Sequence, residues 1–219
     1  MTPQLLEQKF NIVQPFLREL KNHVSETLGG FADENGFPFY GRIKTTDSIS
    51  EKIEMGRCKQ FSHLDDLVAF TLIIPSAAFE SAATGFCQSK FHVIEMRNKS
   101  NTEKAPDVFR FDATRVIARV RPRPDIDVGV PSIFDWRFEI QIRTAFEHAW
   151  AVATHDLVYK GSAIDWKRVR LAAQLKAISE GFDLPLKFHP AAIRALGCFA
   201  PRGAEIATGD RRSWSGLRS

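Results

Sequence analysis

The chain has 219 residues, 44% hydrophobic and 26% charged, which suits one large globular domain with appended helices and excludes a disordered chain, a collagen-like repeat or a coiled-coil rod. Thirty basic residues against 26 acidic leave a net charge of +4, compatible with a polyphosphate or nucleic-acid ligand without demanding one. With no run of 18 apolar residues, no basic and apolar secretory start, and only Cys58, Cys87 and Cys198, too scattered for a disulfide framework or metal knuckle, a cytoplasmic protein without a membrane segment is expected.

Apolar positions from Leu6 to Leu28 step by threes and fours, which predicts a helix over 4–28, bent or split at Pro15 and ended by Gly29-Gly30. Residues 31–41 read as a loop or irregular strand. Ser48, with Glu51 three residues on, predicts an N-cap and a helix over about 49–59. The apolar run ending LVAFTLII predicts a central strand over 64–74, covered on both faces. Ser76 opens a helix through Phe86, with Glu80 in its first turn. Strands follow over 91–97 and 114–121, separated by a loop over 98–107. Pro122, Pro124 and GVPS mark the next loop. The clearest strand is 136–143, with Trp136, Phe138, Ile140 and Ile142 on one face and Arg137, Glu139, Gln141 and Arg143 on the other. Helices are expected over 145–159, 165–180 and, more briefly, 190–196. The tail 201–219 is rich in Gly, Ser and Arg and has no apolar period. Eighteen Phe against two Tyr point to a Phe-rich core. The expected class is α+β, a mixed sheet of about five strands with helices on its faces and helical segments at both ends. The expected divisions are 1–30, 31–161, 162–200 and the tail 201–219.

Five constellations carry possible chemistry. Arg42 and Lys44 share a face of an extended segment, with Ser48 at a helix start and Lys52 one turn inside. They form an anion cradle suited to a triphosphate, or else a solvated basic loop. Asp65-Asp66 before the central strand are placed to hold magnesium, or are plain loop acids. Glu139, Gln141 and Arg143 project from one strand face about 7 Å apart, a row able to hold a ribose hydroxyl, a metal and a phosphate. Glu139 is its general-base or metal-ligand candidate. His148, His155 and Tyr159 share a helix face with Lys160 closing it. Seven-residue spacing does not suit zinc, so phosphate contacts or hydrogen-bonded histidines are the open readings. Phe111 with Arg115, Arg119 and Arg121 could stack a base beside its phosphates, or be a core Phe next to a solvated edge. Arg110 and Arg123 extend that basic stretch against one acid, Asp112.

Three of these stretches, GRIKTTDSISEKI, HLDDLVAFTLII and FEIQIRTAFEHAWAVATHDLVYKG, resemble the synthetase domain of the RelA/SpoT family of (p)ppGpp alarmone synthetases, over about residues 40–161. The resemblance implies the family's nucleotidyltransferase-like synthetase fold and the transfer of pyrophosphate from ATP to the 3′-hydroxyl of GDP or GTP. It implies that Arg42 stacks on adenine, that Lys44 and Lys52 hold the ATP phosphates, and that Asp66 and Glu139 bind Mg2+. Glu139 would activate the hydroxyl, and Gln141, Arg143 and His148 would line the site. With no hydrolase segment expected upstream, the resemblance does not imply the family's degrading activity. The family's central-strand arginine is absent, with Ala69 and Thr71 after Asp66. Of its acceptor loop only an aromatic survives, in Arg110-Phe111-Asp112-Ala113-Thr114-Arg115. The usual Glu after His-Ala-Trp-Ala is Val152. Two other classes stay open: a toxic relative that modifies the 3′ CCA end of tRNA and is neutralised by an antitoxin, and a non-catalytic nucleotide-binding module. A homo-oligomer is also open.

Overall fold

A computed structural model of the chain describes residues 3–56, 64–97, 113–122, 132–159 and 166–188. The expected loop at 98–107, Phe111, the expected helix at 190–196 and the tail lie outside the described residues.

The first apolar period forms one unbroken helix, α1 (Pro3–Asn35). Its seam of Leu6, Phe10, Leu17, Leu20, Val24, Leu28 and Ala32 is buried. Pro15 neither splits nor ends it. Asn11, whose carbonyl loses its helical partner to the proline, is exposed and open to solvent. The expected stop at Gly29-Gly30 is also wrong. Both glycines run through the helix, at a cost of about 1 kcal/mol each, because Leu28 and Ala32 on either side are anchored in the core. The helix stops at Gly36, whose φ of +67° only glycine adopts freely. Gly36 N–H donates to the Asp33 carbonyl and Phe37 N–H to the Ala32 carbonyl, a Schellman ending clasped by the Phe31–Phe37 ring contact.

Next come β1 (Phe39–Ile43) and α2 (Thr46–Glu54). The N-cap of α2 is Thr45, not Ser48. The Ser48 N–H donates to Thr45 Oγ1, so Ser48 lies inside the first turn. Then follow β2 (Val68–Ile74), shorter than expected because residues 65 and 66 form a turn. Ser76 caps a short 3-10 turn before α3 (Glu80–Lys90). The remaining elements are β3 (Phe91–Arg97), β4 (Thr114–Val120), β5 (Phe138–Thr144), α4 (Ala145–Tyr159) and α5 (Trp166–Phe188). The last helix runs eight residues past the expected end, and β5 starts two residues later than expected.

The five strands form one mixed sheet in the order β1-β2-β5-β4-β3. Only β2 and β5 are parallel, Ala69 facing Glu139 in register. One face is the core. Val68, Phe70, Leu72 and Ile74 of β2 join Phe138, Ile140 and Ile142 of β5, Val116, Ala118 and Val120 of β4, and the seam of α1. Phenylalanines interlock across it. Phe39 stacks on Phe70, Phe70 meets Phe138 edge-on, and Phe138 meets Phe91 edge-on. Full burial of such a ring contributes about 1.5–3 kcal/mol. Cys87 is buried here, and burial pushes its thiol up to about 12, so it is a packing residue rather than a nucleophile.

Gly41 sits opposite Phe70, and a Cβ there would come within 2.6 Å of two ring carbons. Gly41→Ala should therefore lower stability by about 1–3 kcal/mol through overpacking. Urea unfolding measures it, and an unchanged midpoint would contradict this packing.

Candidate active site

The second face of the sheet carries polar and charged residues. Strand pleating turns alternate residues to opposite sides, so with Phe138, Ile140 and Ile142 in the core, Glu139, Gln141 and Arg143 project from the other side. Register extends this face in two rows. One runs Arg42, Ala69, Glu139, Ile117 and the next Tyr40, Thr71, Gln141, Arg115. Ala69 and Thr71 form a floor of small residues between β1 and β5.

The three polar residues of β5 hold one another. Arg143 Nη2 donates to Gln141 Oε1, and Gln141 Nε2 donates to Glu139 Oε1 at 2.7 Å. Arg115 Nε approaches Glu139 Oε1 at 3.7 Å from β4. Glu139 is thus a buried carboxylate kept near a cation and an amide, in agreement with the expected row. Burial lowers the pKa of Arg143 from its ordinary value, with Arg115 adding to the effect and Tyr40, Glu139 and Glu147 opposing it. A guanidinium remains charged at neutral pH all the same.

Helix α4 leaves β5 without a loop. Thr144 N–H donates to Glu147 Oε2 and Glu147 N–H to Thr144 Oγ1, a capping box that sets the helix directly on the strand end. It carries His148 to Tyr40, whose hydroxyl lies 3.3 Å from His148 Nδ1. Burial first, then the Arg143 cation, lowers the His148 pKa below 6.5. His155 and Tyr159 lie on the same helix with their side chains outside the described residues.

At the other end of β1 the expected cradle takes a different form. Lys44 and Lys52 do not stand free. Lys44 Nζ donates to Asp66 Oδ2 at 2.7 Å and Lys52 Nζ to Asp66 Oδ1 at 3.0 Å. Burial alone would raise the Asp66 pKa, but the bonds and charges of the two lysines outweigh it and hold the carboxyl below its ordinary value. Asp65 turns away to Arg137 at 3.0 Å, which separates the two acids read as a pair. Arg42 has no hydrogen bond or ion pair among the described residues.

Sequence reading did not single out Tyr40. The signal was present: an aromatic two residues before Arg42 and four before Lys44, on the same face of an extended segment. Phe111 lies outside the described residues.

The donor set allows a test of magnesium. Asp66 and Glu139 offer hard oxygens, and no cluster of three or more His, Cys, Asp or Glu able to hold a metal occurs among the described residues. Magnesium is commonly held by one or two carboxylates together with substrate phosphates and water. The residues fit an ion that arrives with a nucleotide.

Over residues 41–164 the chain matches the family described as a region found in RelA/SpoT proteins. No curated protein matches it. Among solved structures it is similar to a GTP pyrophosphokinase family protein from Streptococcus pneumoniae, with 17% identity and a TM-score of 0.65 over 86% of this chain and 97% of that one. It is also similar to small alarmone synthetase 1 from Bacillus subtilis bound to its product pppGpp, with 19% identity and a TM-score of 0.62 over 87% and 98%. The same protein bound to AMPCPP gives 18%, 0.61, 86% and 99%. The likeness is one of fold. No described helix is long and apolar enough to cross a membrane.

The depressed His148 pKa has a signed consequence. Below 6.5 the unfolded chain takes up this proton before the folded one does, so the contribution of neutral His148 to stability is lost as pH falls through the folded value. An NMR titration should place the His148 midpoint below 6.5, and Arg143→Gln should raise it partway. An unmoved midpoint in the variant would show that Arg143 does not act on the ring.

Proposed function

From a chain that belongs to the RelA/SpoT family and has the fold of small alarmone synthetases, we propose a pyrophosphokinase that moves the β,γ-pyrophosphate of ATP to the 3′-hydroxyl of GDP or GTP. The observation that carries this reading is the convergence on one sheet face of a buried carboxylate, Glu139, with Arg115, Gln141 and Arg143, beside an unpaired Arg42 and the Lys44–Asp66–Lys52 group. Sites for two nucleotides are what a transfer between them needs.

In this reading ATP lies along β1. Arg42 offers its planar guanidinium to the adenine, and Lys44 and Lys52 bind the phosphates. Asp66 and Glu139 would hold magnesium, which when bound neutralises charge on the transferred group. Glu139 accepts the proton of the 3′-hydroxyl. The hydroxyl oxygen bonds to the β-phosphorus while the bond from that phosphorus to the bridging oxygen breaks, leaving its electron pair on AMP. Arg143 and Arg115 bind acceptor phosphates, Gln141 orients Glu139, and Tyr40 with His148 borders the acceptor on the side of α4. His155 and Tyr159, from their spacing in the sequence, and Phe111, as the aromatic beside the arginines, complete the proposed acceptor set.

A second reading has its own observation. Arg115 and Arg119 lie on the same face of β4, and their partners on β3 are Arg97 and His92. Arg121, which donates to the Gln88 carbonyl, continues the basic strip away from Glu139. Such a strip suits the backbone of a tRNA whose 3′ end reaches Glu139.

Labelled ATP incubated with magnesium and GDP, GTP or tRNA should label GDP or GTP. Label in tRNA alone favours the second reading, and label in none rejects transferase activity. Glu139→Gln should lower transfer by at least about 100-fold with little change in stability. Wild-type turnover in that variant defeats the base assignment. Arg42→Ala and Lys44→Ala should each weaken ATP binding in a calorimetric titration. Unchanged affinity in both rejects the placement of ATP along β1.

A further inference from the structure

Strand β1 presents two flat groups to the open face of the sheet, Tyr40 and Arg42. They are its exposed residues, alternating with the half-buried Phe39, Gly41 and Ile43. Tyr40 is 44% exposed, and a ring this open adds little to the core. The Arg42 guanidinium beside it makes no ring contact, hydrogen bond or ion pair among the described residues. Side chains two residues apart on a strand stand about 7 Å apart. A planar ring in van der Waals contact on both faces needs two separations of about 3.5 Å, which is the same distance. The strand thus sets the phenol and the guanidinium one ring apart.

That spacing is held firmly. Ile73 N–H donates to the Pro38 carbonyl just before β1, and Lys44 N–H donates to the Leu67 carbonyl just after it. Between the two groups, Gly41 lies so close to Phe70 that the backbone cannot move toward the core. The Tyr40 hydroxyl, 3.3 Å from His148 Nδ1, ties its ring to α4 from the far side, with 5.8 Å between the ring centroids. Across the sheet Thr71 stands opposite Tyr40 and Ala69 opposite Arg42, and both are too short to fill the gap.

We propose that Tyr40 and Arg42 form a slot for one purine ring, and that Tyr40 is a base-binding residue of the nucleotide donor site. The inference rests on the placement of ATP along β1. There the adenine has Arg42 on one face, and Tyr40 supplies the surface for the other. Lys44 stands one further step along the same face of the strand. The short Ala69 side chain leaves the ribose room to pass Arg42 toward it. Stacking draws on the area of a base and not on its pattern of donors and acceptors. The slot therefore prefers a purine to a pyrimidine by overlap and tolerates either purine.

Calorimetric titration with ATP, CTP and inorganic tripolyphosphate tests this. Tyr40→Ala should weaken ATP binding by about 5–150-fold, the range for loss of a stacked aromatic. It should weaken CTP less and leave tripolyphosphate unchanged, with an unaltered circular dichroism spectrum. Tyr40→Leu, which keeps bulk without a ring face, serves the same purpose should the alanine variant misfold. Tyr40→Phe keeps the ring and loses only the tie to His148, so it should bind ATP nearly as the parent does. The chain has two tyrosines, so in protein with labelled tyrosine rings the Tyr40 NMR signals are identified by their loss in Tyr40→Phe. They should move upfield with ATP and stay in place with tripolyphosphate. Unchanged ATP affinity in Tyr40→Ala, while Arg42→Ala weakens it, overturns the slot and leaves ATP on β1. Equal losses for all three ligands make Tyr40 a structural residue and overturn the slot as well. Unchanged ATP affinity in both Arg42→Ala and Lys44→Ala removes ATP from β1 and the slot with it.

Discussion

The parallel register between β2 and β5 is the constraint on which the rest of the molecule depends. With Ala69 opposite Glu139, every odd residue of β5 faces one side and every even residue the other. A slip of one residue would drive Glu139, Gln141 and Arg143 into the packed phenylalanines and turn Phe138, Ile140 and Ile142 to water. The apolar face therefore does more than stabilise the sheet. By forbidding any other register it fixes where the polar row stands, to within the tolerance of a packed core. The antiparallel neighbours inherit the same alignment, which is how Arg42, Tyr40 and Arg115, distant in sequence, come to flank Glu139.

Buried charge in this protein is compensated locally, and the compensation is mechanical as well as electrostatic. Asp66 draws Lys44 at the end of β1 and Lys52 from α2 to one point, so the first helix after the edge strand is tied to the turn before the central strand. Glu147 caps α4 and also meets Lys176 of α5. Removing a single partner from such a group would strand a charge in a poorly solvated place, which costs far more than the net worth of the pair. Each group thus enforces an arrangement of elements more than it adds to stability.

Much of this was legible in the residues. The alternation over β5 and the run of α4 from Ala145 to Tyr159 follow from local period alone, as does the Phe-rich core. The ends of α1 and α2 were not, because local signals compete. Gly29-Gly30 resembles a stop, but a stop needs a left-handed residue with bonds reaching back, and those form at Gly36 and Phe37. Ser48 and Thr45 can each cap a helix, and which one does depends on where β1 ends. The polar row Glu139, Gln141 and Arg143 was readable because its members are neighbours in sequence. The Lys44–Asp66–Lys52 group and the Tyr40–His148 contact were not, since they depend on which strands pair. Nor was the exposure of Leu171, Leu175, Ile178 and Phe182 on α5, because apolar spacing reveals a stripe but not the side of the helix that the fold covers.

The grip of two lysines on Asp66 bears on how anions enter. Two bare ammonium groups would gather a loose cloud of small ions, and a phosphate replacing that cloud would bind with a steep dependence on ionic strength. Here the cloud is replaced by a carboxylate covalently part of the chain, which cannot diffuse away when displaced. A phosphate bound there, as proposed above, would trade places with a tethered competitor, so less salt would be released and the heat of one set of contacts would be offset by the loss of another. The carboxylate, once displaced, is left in need of a cation. In the proposed reading, uptake of the anion and uptake of a counter-charge would thereby be linked as two halves of one exchange.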